Sequence, residues 1–141
     1  MEEEEELLQY IYKSADMGCE GIRTVLDYVE DEKLKKTLRE QLGTYQNLEQ
    51  EAGRLLEERG KEAGGVGPVA RASTEVLSAG KLLMDHSASK IAEMTIQGNN
   101  MGISKTLQHI HDYHGGGPAK DLAQRLLSAE EAGVEQLKPF L

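Results

Sequence analysis

Apolar residues recur every three or four positions along most of the chain, which is the spacing of amphipathic α-helices. The first apolar stripe runs from Leu8 to Val29, and the second runs from Leu34 to Leu56. Two further stripes cover 91–110 and 122–140. No segment alternates between apolar and polar residues with the period of two that indicates strands. The pattern therefore predicts an all-α protein with four long helices.

Residues that start or stop helices divide the four stripes into two pairs. Asp31 is predicted to cap the start of the second helix, and Gly60 to end it. Ser87 or Ser89 is the predicted N-cap of the third helix, and Pro118 suits the first turn of the fourth. The short connection within each pair favours two antiparallel hairpins.

The hairpins, at about 6–60 and 88–140, are joined by a crossover over 61–87. Apolar positions within 69–85 predict a short fifth helix in this crossover. A chain of 141 residues has an ordinary size for one domain. We therefore expect 1–141 to form a single helical-bundle domain.

The net charge indicates which classes of partner are disfavoured, and the cysteine content indicates the cellular compartment. The formal net charge is −9, which disfavours nucleic acid and anionic membranes as partners. Part of this charge is the run Glu2–Glu6, which is predicted to stabilise the start of the first helix through the helix dipole. Cys19 is the only cysteine, so no internal disulfide can form and a reducing compartment is favoured. No apolar run approaches the roughly 18 residues of a membrane span, and we expect a cytoplasmic protein.

The chain matches itself when it is shifted by 80 residues. Ile11 falls on Ile91, Gly18 falls on Gly98, and Leu42 falls on Leu122. The overlay also places Glu51-Ala52-Gly53 on Glu131-Ala132-Gly133. Because both hairpins align without an insertion, the overlay predicts that they are related as an internal repeat.

Two hairpins joined by a long crossover, with the octet E-E-A-G-V-E-Q-L at 130–137, resemble the ferritin-like superfamily, which includes bacterioferritin and rubrerythrin. That family binds metal through a Glu-x-x-His motif on each of the second and fourth helices and one further Glu from each of the other two. In bacterioferritin-like sequences the last motif is similar to E-E-x-H-x-x-x-L. The chain also resembles short Gram-positive bacterial ferritin-like proteins with no assigned activity. The resemblance implies a ferritin-like four-helix bundle.

Most of the metal ligands of that family are missing here. Glu130 matches the family's Glu on the fourth helix, but Gly133 stands where the His belongs. On the second helix, Gln50 and Gly53 stand at the two motif positions. Glu20 is the nearest carboxylate at the expected place on the first helix. Since glycine has no ligating side chain, the resemblance implies that the ferroxidase-type site is absent, with no cofactor and no catalytic residue.

Four glycines lie near the middles of the four stripes, and we expect them to meet in one layer of the bundle: Gly18, Gly53, Gly98 and Gly133. Small residues allow close approach of helix backbones, so a tightly packed layer is favoured. The alternative is a small apolar pocket that the glycines leave open.

A metal site of non-standard composition is a second alternative. Its candidate ligands are Glu20, Glu51, Glu130 and Glu131. His111 and His114 form another candidate pair, although histidines at a helix end also stabilise the helix through its dipole.

These patterns favour a non-catalytic helical bundle that serves as an interaction or structural protein. We expect it to self-associate, most simply as a homodimer. No serine lies in a G-x-S-x-G context, so no hydrolase nucleophile is indicated. The alternatives are a metal-binding or oxidase protein with a carboxylate site, and a small-ligand carrier with a pocket at the glycine layer.

Overall fold

The computed structural model describes residues 2–64 and 84–141, and these two segments form four long helices. They are α1 (Glu2–Leu26), α2 (Glu32–Glu58), α3 (Ala88–Asp112) and α4 (Gly117–Leu137), followed by a 3₁₀ turn at Lys138–Phe140. The described residues contain no strand. The prediction of an all-α chain with four packed helices is confirmed for this part of the protein. The predicted fifth helix falls almost entirely outside the described residues.

The residues predicted to bound the helices lie at helix ends. Asp31 is the N-cap of α2, and its Oδ1 accepts a hydrogen bond of 2.9 Å from the backbone N–H of Leu34. Ser87 caps α3 in the same way. Gly60 follows α2 with a φ of +70°, a left-handed conformation that favours glycine and stops a helix. Pro118 lies in the first turn of α4.

The direction of each helix follows from contacts at the two ends of the bundle. Near the start of α1, Gln9 Oε1 accepts a hydrogen bond of 2.9 Å from the N–H of Gly64. Beyond the end of α1, Glu30 lies 3.5 Å from the ring of His86. The chain therefore leaves α2 at one end of the bundle and enters α3 at the other. As a result α1 runs antiparallel to α2 and α3, and parallel to α4.

The helices pack most closely within each hairpin, and α4 joins the hairpins by contacting both α1 and α2. Large apolar side chains fill the interior, and the completely buried ones are Leu8, Ile11, Leu34, Leu38, Leu48, Leu56, Ile91, Leu122, Leu126 and Leu137. Each stabilises the fold by roughly 1.5–3 kcal/mol relative to an exposed position. Most of them come from α1, α2 and α4.

The inward face of α3 differs from the prediction. Gly98 is exposed, Met101 is 64% exposed and Leu107 is 37% exposed. The only buried residues of this helix are Ile91, Ala92 and Thr106. The predicted stripe on α3 is therefore wrong in its second half, because polar and small residues occupy the side of α3 that faces the bundle.

The acidic start of α1 contacts the ends of other helices. Glu3 Oε1 accepts a hydrogen bond of 2.7 Å from the backbone N–H of His114, in the turn between α3 and α4. Glu4 forms an ion pair with Arg59 at the end of α2. These side chains thus tie the first turn of α1 to its neighbours, in addition to their predicted effect on the helix dipole.

Among the described residues, no helix combines the length and the apolar character that crossing a membrane requires.

Candidate functional site

Glu130 on α4 directs its carboxyl group into the centre of the bundle, where the residue is only 4% exposed. Its Oε1 accepts a hydrogen bond of 2.7 Å from the hydroxyl of Thr106 on α3. Its Oε2 occupies the place that a Cβ would take on Gly102 of α3. Because Gly102 has no side chain, the carboxyl can lie directly against the backbone of the neighbouring helix.

A chain of hydroxyl groups connects this carboxyl to the surface. The hydroxyl of Tyr10 on α1 lies 2.9 Å from Thr106 Oγ1. When Glu130 is ionised, Thr106 donates its one hydroxyl proton to the carboxylate, and Tyr10 is then the donor to Thr106. The ring of Tyr10 stacks on His109, with 3.7 Å between the ring centroids. Both rings line an open groove of about 520 Å³ between α1 and α3.

Burial raises the pKa of Glu130 to about 7. The hydrogen bond from Thr106 works against this shift by stabilising the charged form, and the nearby charge of Glu131 adds to it. The carboxyl of Glu130 is therefore partly protonated at neutral pH. Burial also raises the pKa of Tyr45 on α2, and the charge of Glu130 contributes to that shift.

A second polar contact lies one helical turn away on the same pair of helices. The Nδ2 atom of Asn99 on α3 lies 2.5 Å from the place that a Cβ would take on Gly133 of α4. The Oδ1 atom of Asn99 accepts a hydrogen bond of 3.4 Å from the hydroxyl of Tyr45. The side chain of Gln41 from α2 approaches the same glycine, with Oε1 3.6 Å from the Cβ position. Amide groups therefore fill the space beside Gly133.

The amide of Gln41 links α2 to the backbone of α4. Its Nε2 donates to Gln136 Oε1 over 2.9 Å and to the carbonyl oxygen of Gly133 over 3.4 Å. Within residues 2–64 and 84–141, Gln41 Oε1 and Asn99 Nδ2 are buried without a hydrogen-bond partner. An acceptor and a donor thus face the same small region beside Gly133.

We name Tyr10, Tyr45, Asn99, Thr106 and Glu130 the polar centre. These residues come from all four described helices, and Glu130 is the one among them that was predicted as a site residue.

The predicted glycine layer is present only in part. A Cβ on Gly18 would lie 3.1–3.2 Å from ring atoms of Tyr45, and a Cβ on Gly53 would lie 3.4 Å from Tyr12 Cε2. Gly98 has nothing within 4 Å of its Cβ position among the described residues, so this glycine does not join the others. On α3 the inward glycine is Gly102, one turn further along the helix.

The other carboxylates that the sequence offered as metal ligands point away from the centre. Glu20 pairs with Arg23 over 3.1 Å on the side of α1. Glu51 lies 3.7 Å from Arg125 on α4, and Glu131 is exposed. Each is engaged or solvated at the surface, and they do not meet around Glu130.

The two candidate histidines are also apart from the polar centre. His111 is exposed near the end of α3. His114 is exposed in the turn that follows, 3.2 Å from Glu3. Both positions agree with solvated residues at the end of a helix.

The residues around Glu130 do not fit the two metal ions of the ferritin-like resemblance. Such ions need several carboxylates and imidazoles, whereas Glu130 is bonded to the hydroxyl of Thr106, which is bonded in turn to that of Tyr10. At the position of the family's histidine, Gly133 is covered by the amide of Asn99. Within the described segments, no group of three or more His, Cys, Asp or Glu side chains is placed to hold a metal ion.

A smaller acidic site lies between α1 and α2. Asp16 is buried, and its charge adds to the effect of burial in raising the pKa of Glu49. Burial raises the pKa of the neighbouring Cys19 thiol to about 12. A thiol is nucleophilic only when ionised, so Cys19 is chemically inert at neutral pH.

Four of the five residues of the polar centre were not among the predicted site residues. Asn99, Gly102 and Thr106 are spaced three and four residues apart, so they share one face of α3. A search for polar stripes with helical spacing, as well as apolar ones, would have found this face.

Comparison of the chain with models of protein families, with curated proteins and with solved structures gave no match in any of the three.

Proposed function

We propose that this chain is a non-catalytic bundle of the ferritin-like type that serves as an interaction or structural protein in the cytoplasm. The observation that carries the proposal is the surroundings of Glu130. The family's metal-binding carboxylate has a counterpart in this residue, but hydroxyls and a glycine replace the other ligands. A single carboxyl does not provide the negative charge that two metal cations need.

The directions of the four helices support the ferritin-like part of the proposal. In this bundle α1 and α4 point one way, and α2 and α3 point the other way. That arrangement requires a long crossover from the end of α2 to the start of α3, as in ferritin-like folds and unlike an up-down-up-down bundle. Residues 59–87, which lie between α2 and α3 in the sequence, are long enough for such a connection.

The filled space beside the glycines favours a structural role over a carrier. Asn99 and Gln41 occupy the position next to Gly133, and Tyr45 occupies the position next to Gly18. These side chains leave the glycines as contact points between helices.

Metal content of the purified protein tests the proposal. Protein prepared without a histidine tag, incubated with Fe²⁺, Mn²⁺ or Zn²⁺ and then dialysed, should retain far less than one metal ion per chain. The Glu130→Gln variant should retain the same amount, and Glu135→Gln, exposed on the same helix, serves as the surface control. Stoichiometric metal in the wild type that disappears in Glu130→Gln would contradict a non-catalytic bundle.

The same samples report on self-association. Sedimentation velocity should show a homodimer whose mass does not change with added metal. A monomer at all concentrations would remove self-association from the proposal and leave the remainder intact.

A further inference from the structure

We propose that Glu130 is a proton-controlled switch: its neutral carboxyl closes the contact between α3 and α4 around Gly102, and loss of the proton opens it. We call this contact, formed at Gly102 and Gly133, the α3–α4 seam.

The geometry of the seam suits a neutral carboxyl and not a charged one. Oε2 of Glu130 lies directly on the backbone at Gly102, and Oε1 has one hydrogen-bond donor, Thr106. A buried carboxylate needs several donors or a cation, because water no longer solvates its charge. Ionised Glu130 is therefore stabilised by movement of its side chain toward water, and that movement separates α4 from Gly102.

None of the four described helices provides a positive charge that pairs with Glu130. Thr106 from α3 donates to Glu130, and Tyr10 from α1 bonds to Thr106. From α2 the nearby titratable group is Tyr45, whose pKa the charge of Glu130 helps to raise. On α4 itself the neighbour is Glu131, which has the same sign of charge and adds to the repulsion. Among the described residues, no Lys, Arg or His forms an ion pair with Glu130.

The proton has a route to solvent that does not require unfolding. Thr106 joins Glu130 to Tyr10 through hydrogen bonds of 2.7 and 2.9 Å. Tyr10 in turn lines the open groove beside His109. A chain of hydroxyls can thus exchange a proton between the groove and the buried carboxyl.

The direction of the pH effect follows from the two pKa values of Glu130. The folded protein keeps this proton up to about pH 7, whereas an unfolded chain releases it near the ordinary value of 4.5. Between these values the folded state binds more protons, so its stability is greatest below the window and falls as pH rises through it. One such group changes the unfolding equilibrium constant by up to about tenfold per pH unit, and by on the order of 100-fold over the whole window.

Carbon-13 NMR of the glutamate carboxyl groups tests the protonation directly in the wild-type protein. The signal that is missing from Glu130→Gln belongs to Glu130, and it should titrate with a midpoint near pH 7. In Thr106→Val, which loses the donor to the charged form, the midpoint should move upward. A wild-type midpoint at or below pH 5, or no shift in Thr106→Val, would overturn the proposal.

Unfolding in urea at pH 5 and pH 8 tests the effect on the fold. From pH 5 to pH 8 the equilibrium constant for unfolding should rise in both proteins by different factors. The factor for the wild type should be on the order of 100 times that for Glu130→Gln. Glu135→Gln, exposed on the same helix, should behave as the wild type. Equal pH dependence in the wild type and Glu130→Gln would contradict the switch.

Hydrogen exchange locates the opening. After correction for the intrinsic effect of pH, amides of α3 around Gly102 should exchange faster at pH 8 than at pH 5, and those of α2 should not. This difference should vanish in Glu130→Gln. Exchange that rises equally in all four helices would show global destabilisation, and the local switch would be rejected.

Discussion

In both hairpins each helix has a glycine that is covered by a side chain of the other helix, but the covering side chains differ between the hairpins. In the α1–α2 hairpin each helix has a glycine that receives a tyrosine ring from the other. Gly18 contacts Tyr45, and Gly53 contacts Tyr12. Both contacts are apolar, because ring carbon atoms are the nearest neighbours of each glycine.

In the α3–α4 hairpin the side chains that cover the two glycines are polar. Gly102 is covered by the carboxyl of Glu130, and Gly133 by the amide of Asn99. These groups are hydrogen-bonded to Thr106 and Tyr45, so their positions are fixed by partners on other helices. A buried polar group that loses its partner costs about 1–3 kcal/mol. The second hairpin should therefore be much more sensitive to small changes at its glycines.

The largest effect is expected for Gly102→Ala. The methyl group would take the place of Glu130 Oε2, so the carboxyl must move and the bond from Thr106 is lost. We expect a loss of about 2–3 kcal/mol of unfolding free energy, measured by urea denaturation at pH 6, where Glu130 is mostly neutral.

Gly98→Ala is the matched control on the same helix. Its Cβ would meet nothing within 4 Å among the described residues, and alanine is the better helix former by about 1 kcal/mol. This variant should therefore be as stable as the wild type or more stable. Similar losses in the two variants would show that α3 resists substitution for reasons unrelated to Glu130.

The next largest effect is expected for Gly133→Ala, at about 1–2 kcal/mol. Asn99 Nδ2 lies 2.5 Å from the new methyl position, so the amide must shift away from Tyr45 and its hydrogen bond is lost. A double-mutant cycle with Asn99→Ala checks this cause. Once Asn99 is shortened, the alanine at position 133 should cost much less, and additive losses would contradict the assigned contact.

All four long helices could be predicted from the sequence, and on three of them the inward positions are apolar as expected. The stripes that contain Leu8, Leu38 and Leu126 point to the core as expected, and the caps Asp31 and Ser87 mark helix starts. On α3 the predicted stripe is correct at Ile91, which is buried, but wrong at Gly98 and Met101, which are exposed. There Asn99 and Thr106 face the interior, which a pattern of apolar residues cannot reveal.

The candidate site was predictable only at one residue. The resemblance singled out Glu130, but its partners come from other helices and carry no local pattern. The overlay of the two hairpins placed Gly98 opposite Gly18, whereas the inward glycine of α3 is Gly102, one turn later. Gly98 and Gly102 are four residues apart on the same helix, but only Gly102 lies deep enough in the bundle to be covered by Glu130.

The smallest effect in the comparison is expected for Gly53→Ala in the first hairpin. A Cβ there would lie 3.4 Å from Tyr12 Cε2, an ordinary contact, and Tyr12 is only partly buried. The higher helix propensity of alanine should then dominate and stabilise the protein by about 0.5 kcal/mol. Gly18→Ala should fall between this value and that of Gly133→Ala, because the buried ring of Tyr45 must give way by a few tenths of an ångström. Urea denaturation of both variants at pH 6 checks the order. If Gly53→Ala cost as much stability as Gly133→Ala, the glycines themselves would set the sensitivity of each hairpin, and the contrast between rings and polar groups would be wrong.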